Sequence, residues 1–403
     1  MISFLMTILM AWGIHAAIPA PTDQHDETVI TQDLDLGGKI LYLPEGSVLK
    51  FQGGVIKNGT LVGNNTRIDC ESVAFDNVTI QGVWNVPAIY STWFKDLSYD
   101  NALRNVFALT NPNIHNKVYV ASGEYSVTVS SASESAIVVG DNTEVFLDGC
   151  IRLQPNHYSG CNVILISGYD VCIAGSGMIV GDRNLHKGDK GEWGMGIRVS
   201  NADNVSITGM TISDCWGDCI YIGEGSKNIV VADCVLDHGR RQGISVVSAV
   251  NVTLRDLLIK NINGTAPEYA IDIEPNKGDR IDNVLIENVK AIDCVGGVFS
   301  TGYAEGSYIG KITIHNVMIE RTTKMPIRLE KCASADISDC TISDYDTHTA
   351  IRCNNVDEVL IQRNKIYDIN KSQADIDHAN EGKRHVQIFN SVNGKSINNK
   401  IFN

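Results

Sequence analysis

The chain has 403 residues, a hydrophobic share of 43%, charged residues at 20% and a formal net charge of −14. That balance supplies a core and argues against nucleic acid or an anionic membrane as partner, because both are held by clustered Lys and Arg. The length alone allows two or three domains, but a regular repeat absorbs such a length into one solenoid.

Residues 1–17 carry the mostly apolar run Ile2–Ile14 followed by Ala16-Ala17. The run is too short to span a membrane and reads as a secretory signal peptide, which points to a secreted or periplasmic protein. Residues 18–114 read as N-terminal coils and a capping helix. The stretch from Gly37 to Asp69 alternates and is broken by the turns Gly53-Gly54, Asn58-Gly59 and Gly63-Asn64. Over Ser98–Thr110 the spacing of Ala102, Leu103, Val106, Phe107 and Leu109 predicts a helix. It would cover the first coils, whose open end exposes an unpaired edge. Strand patterning resumes at Val118–Tyr125, so 115–403 reads as the main stack with its groove. The last 25 residues are polar and show no clear period.

From about residue 200 a unit recurs. A turn residue, often Asn, leads into a β-branched strand such as Asn204-Val205-Ser206-Ile207 or Asn251-Val252-Thr253-Leu254. A corner follows, at Gly209, Asp233, Asp256, Asn288, Asn316, Asp339 and Asn364; these residue types tolerate left-handed backbone angles. Then come second strands centred on Ile197, Ile220, Ile244, Ile271, Val298, Ile327 and Ile351. Periods in the twenties with apolar residues at every second position predict a parallel β-solenoid and exclude helical repeats. The same repeat explains several Asn-x-Ser/Thr triplets, which begin at Asn58, Asn64, Asn77, Asn204, Asn251, Asn263 and Asn370. Cys234 and Cys340 occupy the ladder position held elsewhere by Met210, Leu257, Val289 and Val317, and read as small buried apolar residues. Cys215 and Cys219 lack a second pair at zinc spacing, so no metal site is expected.

The segment from Gly191-Glu192-Trp193-Gly194-Met195-Gly196-Ile197 to Val247 resembles the pectin-lyase-like superfamily, and most of all its polygalacturonase-type glycoside hydrolases. The resemblance implies an all-β fold, a single-stranded right-handed parallel β-helix with an N-terminal capping segment, and activity on a polysaccharide. Gly217-Asp218-Cys219-Ile220 is similar to the family's Gly-Asp-Asp stretch, with Cys219 in place of a carboxylate. Gln242-Gly243-Ile244 is similar to its Gly-His-Gly stretch, with Gln242 in place of histidine. Asp218 alone carries over as a catalytic candidate.

Alternation assigns the outward face independently of that resemblance. If the central apolar residues point inward, their successors Arg198, Tyr221, Ser245, Asp272, Phe299, Arg328 and Arg352 point out. Two residues further on lies a second column that includes Glu274 and Glu330. Asp272 and Glu274 thus share one face, as a glycosidase's acid and base must; strict parity turns Asp218 inward. Long loops containing Trp193, His238, Arg240 and Arg241 would wall the groove. Arg240, Arg241 and Arg328 offer planar forks for a substrate carboxylate or sulfate. Arg198, Tyr221, Trp193, His238, Glu330 and Phe299 complete the binding candidates, with Tyr269 and Tyr303 as further stacking rings. The reading is a secreted glycoside hydrolase that needs no cofactor. The alternatives are a polysaccharide lyase, with Ca²⁺ held by Asp and Glu oxygens, and a non-catalytic glycan-binding solenoid. The sole partner implied is a poly- or oligosaccharide.

Overall fold

The computed structural model describes residues 26–95, 102–368 and 385–402. The leader read at 1–17 and the Asn370 triplet lie outside the described residues. The rest winds as a right-handed parallel β-helix, each coil giving one strand to each of three faces. On the first face lie Trp193–Ser200, Ile220–Gly223, Ile244–Val246, Tyr269–Ile273 and Gly296–Thr301. The second face carries Asp203–Thr208, Ser226–Ala232, Ala249–Arg255 and Arg280–Glu287. The third is built from three-residue strands such as Val235–Asp237 and Leu258–Lys260.

Register follows the apolar column. Ile197, Ile220, Ile244, Ile271, Val298, Ile327 and Ile351 oppose one another coil after coil. Their side chains fill the interior, where a slip of one residue would turn the whole apolar set to solvent. Arg198, Tyr221, Ser245, Asp272, Phe299, Arg328 and Arg352 align beside them, as alternation requires.

The corners hold the coils in step. Asn204, Asn228, Asn251 and Asn283 take φ values of 54–59° where the chain enters the second face. Their amides form a ladder: Asn228 donates to Asp203 (2.7 Å), Asn251 to Asn228 (2.9 Å) and Asn283 to Asn251 (2.9 Å). At the next corner Gly209, Asp233, Asp256, Asn288, Asn316 and Asp339 are left-handed, as expected. The seventh corner is Arg363 and not Asn364. Arg363 pairs with both carboxylate oxygens of Asp339 on the coil beneath, continuing the ladder with an ion pair. Asn364 lies one residue further on, buried, and accepts from the Cys340 backbone N–H at 2.9 Å.

At the N-terminal end Val48–Phe51, Ile56–Asp69 and Phe75–Trp84 form parallel pairs outside the main stack. The described part of the expected helix is Ala102–Phe107, residues 98–101 lying outside the described residues; its C-terminal end comes before Thr110 because the chain tightens over Leu109 and Thr110 before reaching Pro112. It buries Leu103, Val106 and Phe107. Asn105 accepts from the Ile80 N–H (2.9 Å), while Arg104 pairs with Glu134 (2.9 Å), joining the N-terminal strands to the main stack. The polar C-terminus holds one more ordered coil, Val386–Phe389, Asn393–Ile397 and Lys400–Phe402. Its strands pair on one edge only, which is why their sequence lacks the apolar alternation. The cysteines are free, and the thiols of Cys234 and Cys340 are buried among apolar neighbours.

Candidate active site

The site lies where the chain turns into the first-face strands. Residues two before the central apolar position form one column: Asn162, Met195, Asp218, Gln242 and Tyr269. Asp218 has no exposed surface. Its Oδ2 accepts from Ser245 Oγ at 2.7 Å and lies 3.4 Å from Arg241 Nη1. Burial pushes its carboxyl up to about 6, against the charge of Arg241 and the Ser245 bond, which pull it down. Strict parity turned this side chain inward. It instead reaches Ser245 of the outward column, because Gly217–Cys219 is still turn and alternation starts only at Ile220.

Asp272 is 1% exposed. Its Oδ2 accepts from Gln242 Nε2 at 2.7 Å, and Gln242 Oε1 accepts from the Tyr269 N–H at 2.7 Å. The second bond fixes the amide, so its NH₂ must face the carboxyl. Burial drives the Asp272 carboxyl well above the usual carboxylate range. The neighbouring Glu274 adds to this through its charge and through a hydrogen bond that favours the protonated form, while Arg241 opposes it. Oδ1 of Asp218 and Oδ1 of Asp272 are both buried without a hydrogen-bond partner.

Neither acid lies open in a groove, as outward parity led one to expect for Asp272. Arg241 lies against Asp218, with Nε 3.4 Å from Glu192 on the long loop before Trp193. Arg240 is held by that loop, donating to Gly191 O (2.8 Å) and lying over the Trp216 ring at 3.7 Å. The same indole stacks on His186, which Asp182 holds at 2.8 Å. Asp182, His186, Trp216, Gln242 and Ser245 had no role assigned from sequence. Gln242 was findable, since counting back two residues from the central apolar position aligns it with Asp218.

The remaining candidates are brought to the same face but bound to protein partners. Arg198 donates to Glu224 (2.5 Å) and lies over the Tyr221 ring at 5.0 Å. Burial raises the Tyr221 phenol to about 12. Arg328 pairs with Glu330 (2.8 Å) and sits over Phe299. Phe299 stacks on Tyr269 at 4.9 Å, and Tyr269 is buried, so it cannot serve as a groove wall. His238 is a turn residue with φ 58°, its Nδ1 2.7 Å from Asp214 Oδ1 and its carbonyl accepting from Arg183. Arg240, Arg241 and Arg328, expected to hold a substrate anion, are each engaged within the protein. Trp193 is 55% exposed and free to stack.

A sequence profile described as "Right handed beta helix region" matches residues 113–266 and 149–309. An uncharacterized Bacillus subtilis protein, YclG, is 30% identical over 180 residues, 38% of this chain and 31% of that protein. An Arabidopsis thaliana exopolygalacturonase is 34% identical over 113 residues, 24% of this chain and 25% of that protein. The tailspike protein of Escherichia coli bacteriophage HK620, solved with a pentasaccharide, is 12% identical at a TM-score of 0.50. That match covers 68% of this chain and 54% of the tailspike. The chain spans about a third or less of these curated relatives. Its fold is a right-handed parallel β-helix, in keeping with the description of that profile.

Proposed function

We propose that the chain is a glycoside hydrolase acting on a poly- or oligosaccharide outside the cell. One observation carries the reading: two buried carboxyls on nearby coils, each with a spare oxygen, are held in different environments. Asp272, kept protonated by burial and Glu274, is the acid. Asp218, steadied by Arg241 and Ser245, is the group that ionises near neutral pH. Environments that push two carboxyls apart assign their roles. Asp218 takes a proton from water as its oxygen bonds to the anomeric carbon, and Asp272 gives its proton to the departing glycosidic oxygen. The two acids come from strands two coils apart, and both reach toward the coil between them, Asp218 to Ser245 and Asp272 to Gln242. Arg241 bridges Asp218 and Glu192, so substrate reaching Asp218 is expected to part the Arg241–Glu192 contact.

Asp272→Asn and Asp218→Asn are expected to fold and to lose roughly 10²-fold or more in rate, the scale of a positioned acid or base. Reducing-end release on a polysaccharide panel measures this. Full activity in both variants, or products absorbing as enones without new reducing ends, would overturn the assignment.

A further inference from the structure

A second feature of the first face has no part in that chemistry. A cleft of about 310 Å³ is bordered by Ser133, Ser159, Asn162, Trp193, Arg198 and Tyr221. Its size falls at the lower end of small-molecule sites, suited to a single sugar residue. We propose that it is a subsite for a neutral sugar, one that offers hydroxyl or amide hydrogens and carries no carboxylate or sulfate. This rests on the hydrolase reading and names the substrate class of that site.

Three observations carry the chemistry. Asn162 is 4% exposed and donates Nδ2 to Ser135 Oγ (3.0 Å), which leaves Oδ1 buried with no donor. A buried acceptor in that state selects a ligand that brings a hydrogen. Trp193 stands at the rim with more than half its surface free, and an indole face takes the apolar face of a sugar ring. Arg198, the cation of the cleft, is already neutralised by Glu224 at 2.5 Å. The neighbouring acids sharpen the point, because the charges of Asp218, Glu274 and Glu192 outnumber the cations acting on them, Arg241 and, at Glu192, Arg240. An anionic sugar would enter a field of its own sign. Asn162 shares the Asp218 column two coils away, about 10 Å along the stack, so a ring in the cleft lies about one or two sugar units from Asp218, with Asp272 two coils beyond.

The test is a tryptophan-fluorescence titration of the full chain with cello-, manno-, xylo- and chitopentaose and with penta-galacturonate. At least one neutral pentasaccharide is expected to bind. Trp193→Ala, a surface change, and Asn162→Leu should each weaken that binding about tenfold, the scale of one lost contact. Tighter binding of penta-galacturonate, no binding of any neutral sugar at millimolar concentration, or unchanged affinity in both variants would overturn the proposal. Neutral-sugar binding that depends on Trp193 but brings no hydrolysis would sustain the cleft and remove the hydrolase reading. Hydrolysis with an unchanged KM in both variants would do the reverse.

Discussion

Asp272 and Asp218 pull against the stability of the fold they sit in. Each carboxyl has a folded-state pKa above its unfolded value near 3.8, so the folded chain holds extra protons once the pH exceeds about 4. Stability therefore falls as pH rises through that window, by about 3 kcal/mol in all for Asp218 alone, a loss complete only above its folded value near 6. Asp272→Asn keeps an acceptor for Gln242 and removes the titration. We expect its thermal midpoint to exceed the wild type's at pH 7 and to converge with it near pH 4; a constant difference at both would contradict this. The same groups set the rate profile. Protonation of Asp218 should cut kcat/KM below pH about 6, measurable as an acid limb, and Asp218→Asn should abolish what activity that limb governs. Asp272 was legible as a candidate from parity because it follows a central apolar residue. Its burial was not, since its partner Gln242 comes from a turn before the strand, where no period governs direction. Asp218 shows the complementary limit: parity has meaning only inside a strand, and this residue precedes one.

At the scale of a coil, the inner column and the Asn ladder do separate jobs. Ile244 is fully buried between Ile220 and Ile271, so Ile244→Ala should cost about 2–5 kcal/mol through lost burial and the cavity left behind. Asn251 both donates to and accepts from its ladder neighbours at φ 59°. Asn251→Ala loses two hydrogen bonds and removes the side-chain amide that eases a left-handed φ, at an expected cost of about 1–3 kcal/mol. Denaturant unfolding of the two variants checks both figures. The inner column was readable coil by coil because burial on one face of a strand leaves a period of two. The last corner was misplaced by a single residue because Arg363, an unusual left-handed residue, does there what Asn does elsewhere. The final coil was missed because its strands are exposed.

For the whole molecule, the acid balance brings solubility and stability into conflict. The net charge of −14 gives way to an isoelectric point near 5.1, inside the interval where protonation of the two buried acids strengthens the fold. Light scattering should show association growing as pH falls toward 5 even while the unfolding midpoint rises. A midpoint that falls together with solubility would contradict the sign assigned to the acids. Composition made the charge legible at once, but that its acids gather about a covered site is a property of the folded coils.

The alignment of outward residues has a consequence for how such a surface changes over time. Arg198, Tyr221, Ser245, Asp272, Phe299 and Arg328 each come from a different coil, and each stands beside an isoleucine or valine of the inner column that fixes register. The outer alphabet can therefore be rewritten one letter at a time while the inner one stays constant. On the proposed reading, a glycan lying along the stack would be read as a string, and a point mutation would edit one character of the reader without touching its spine.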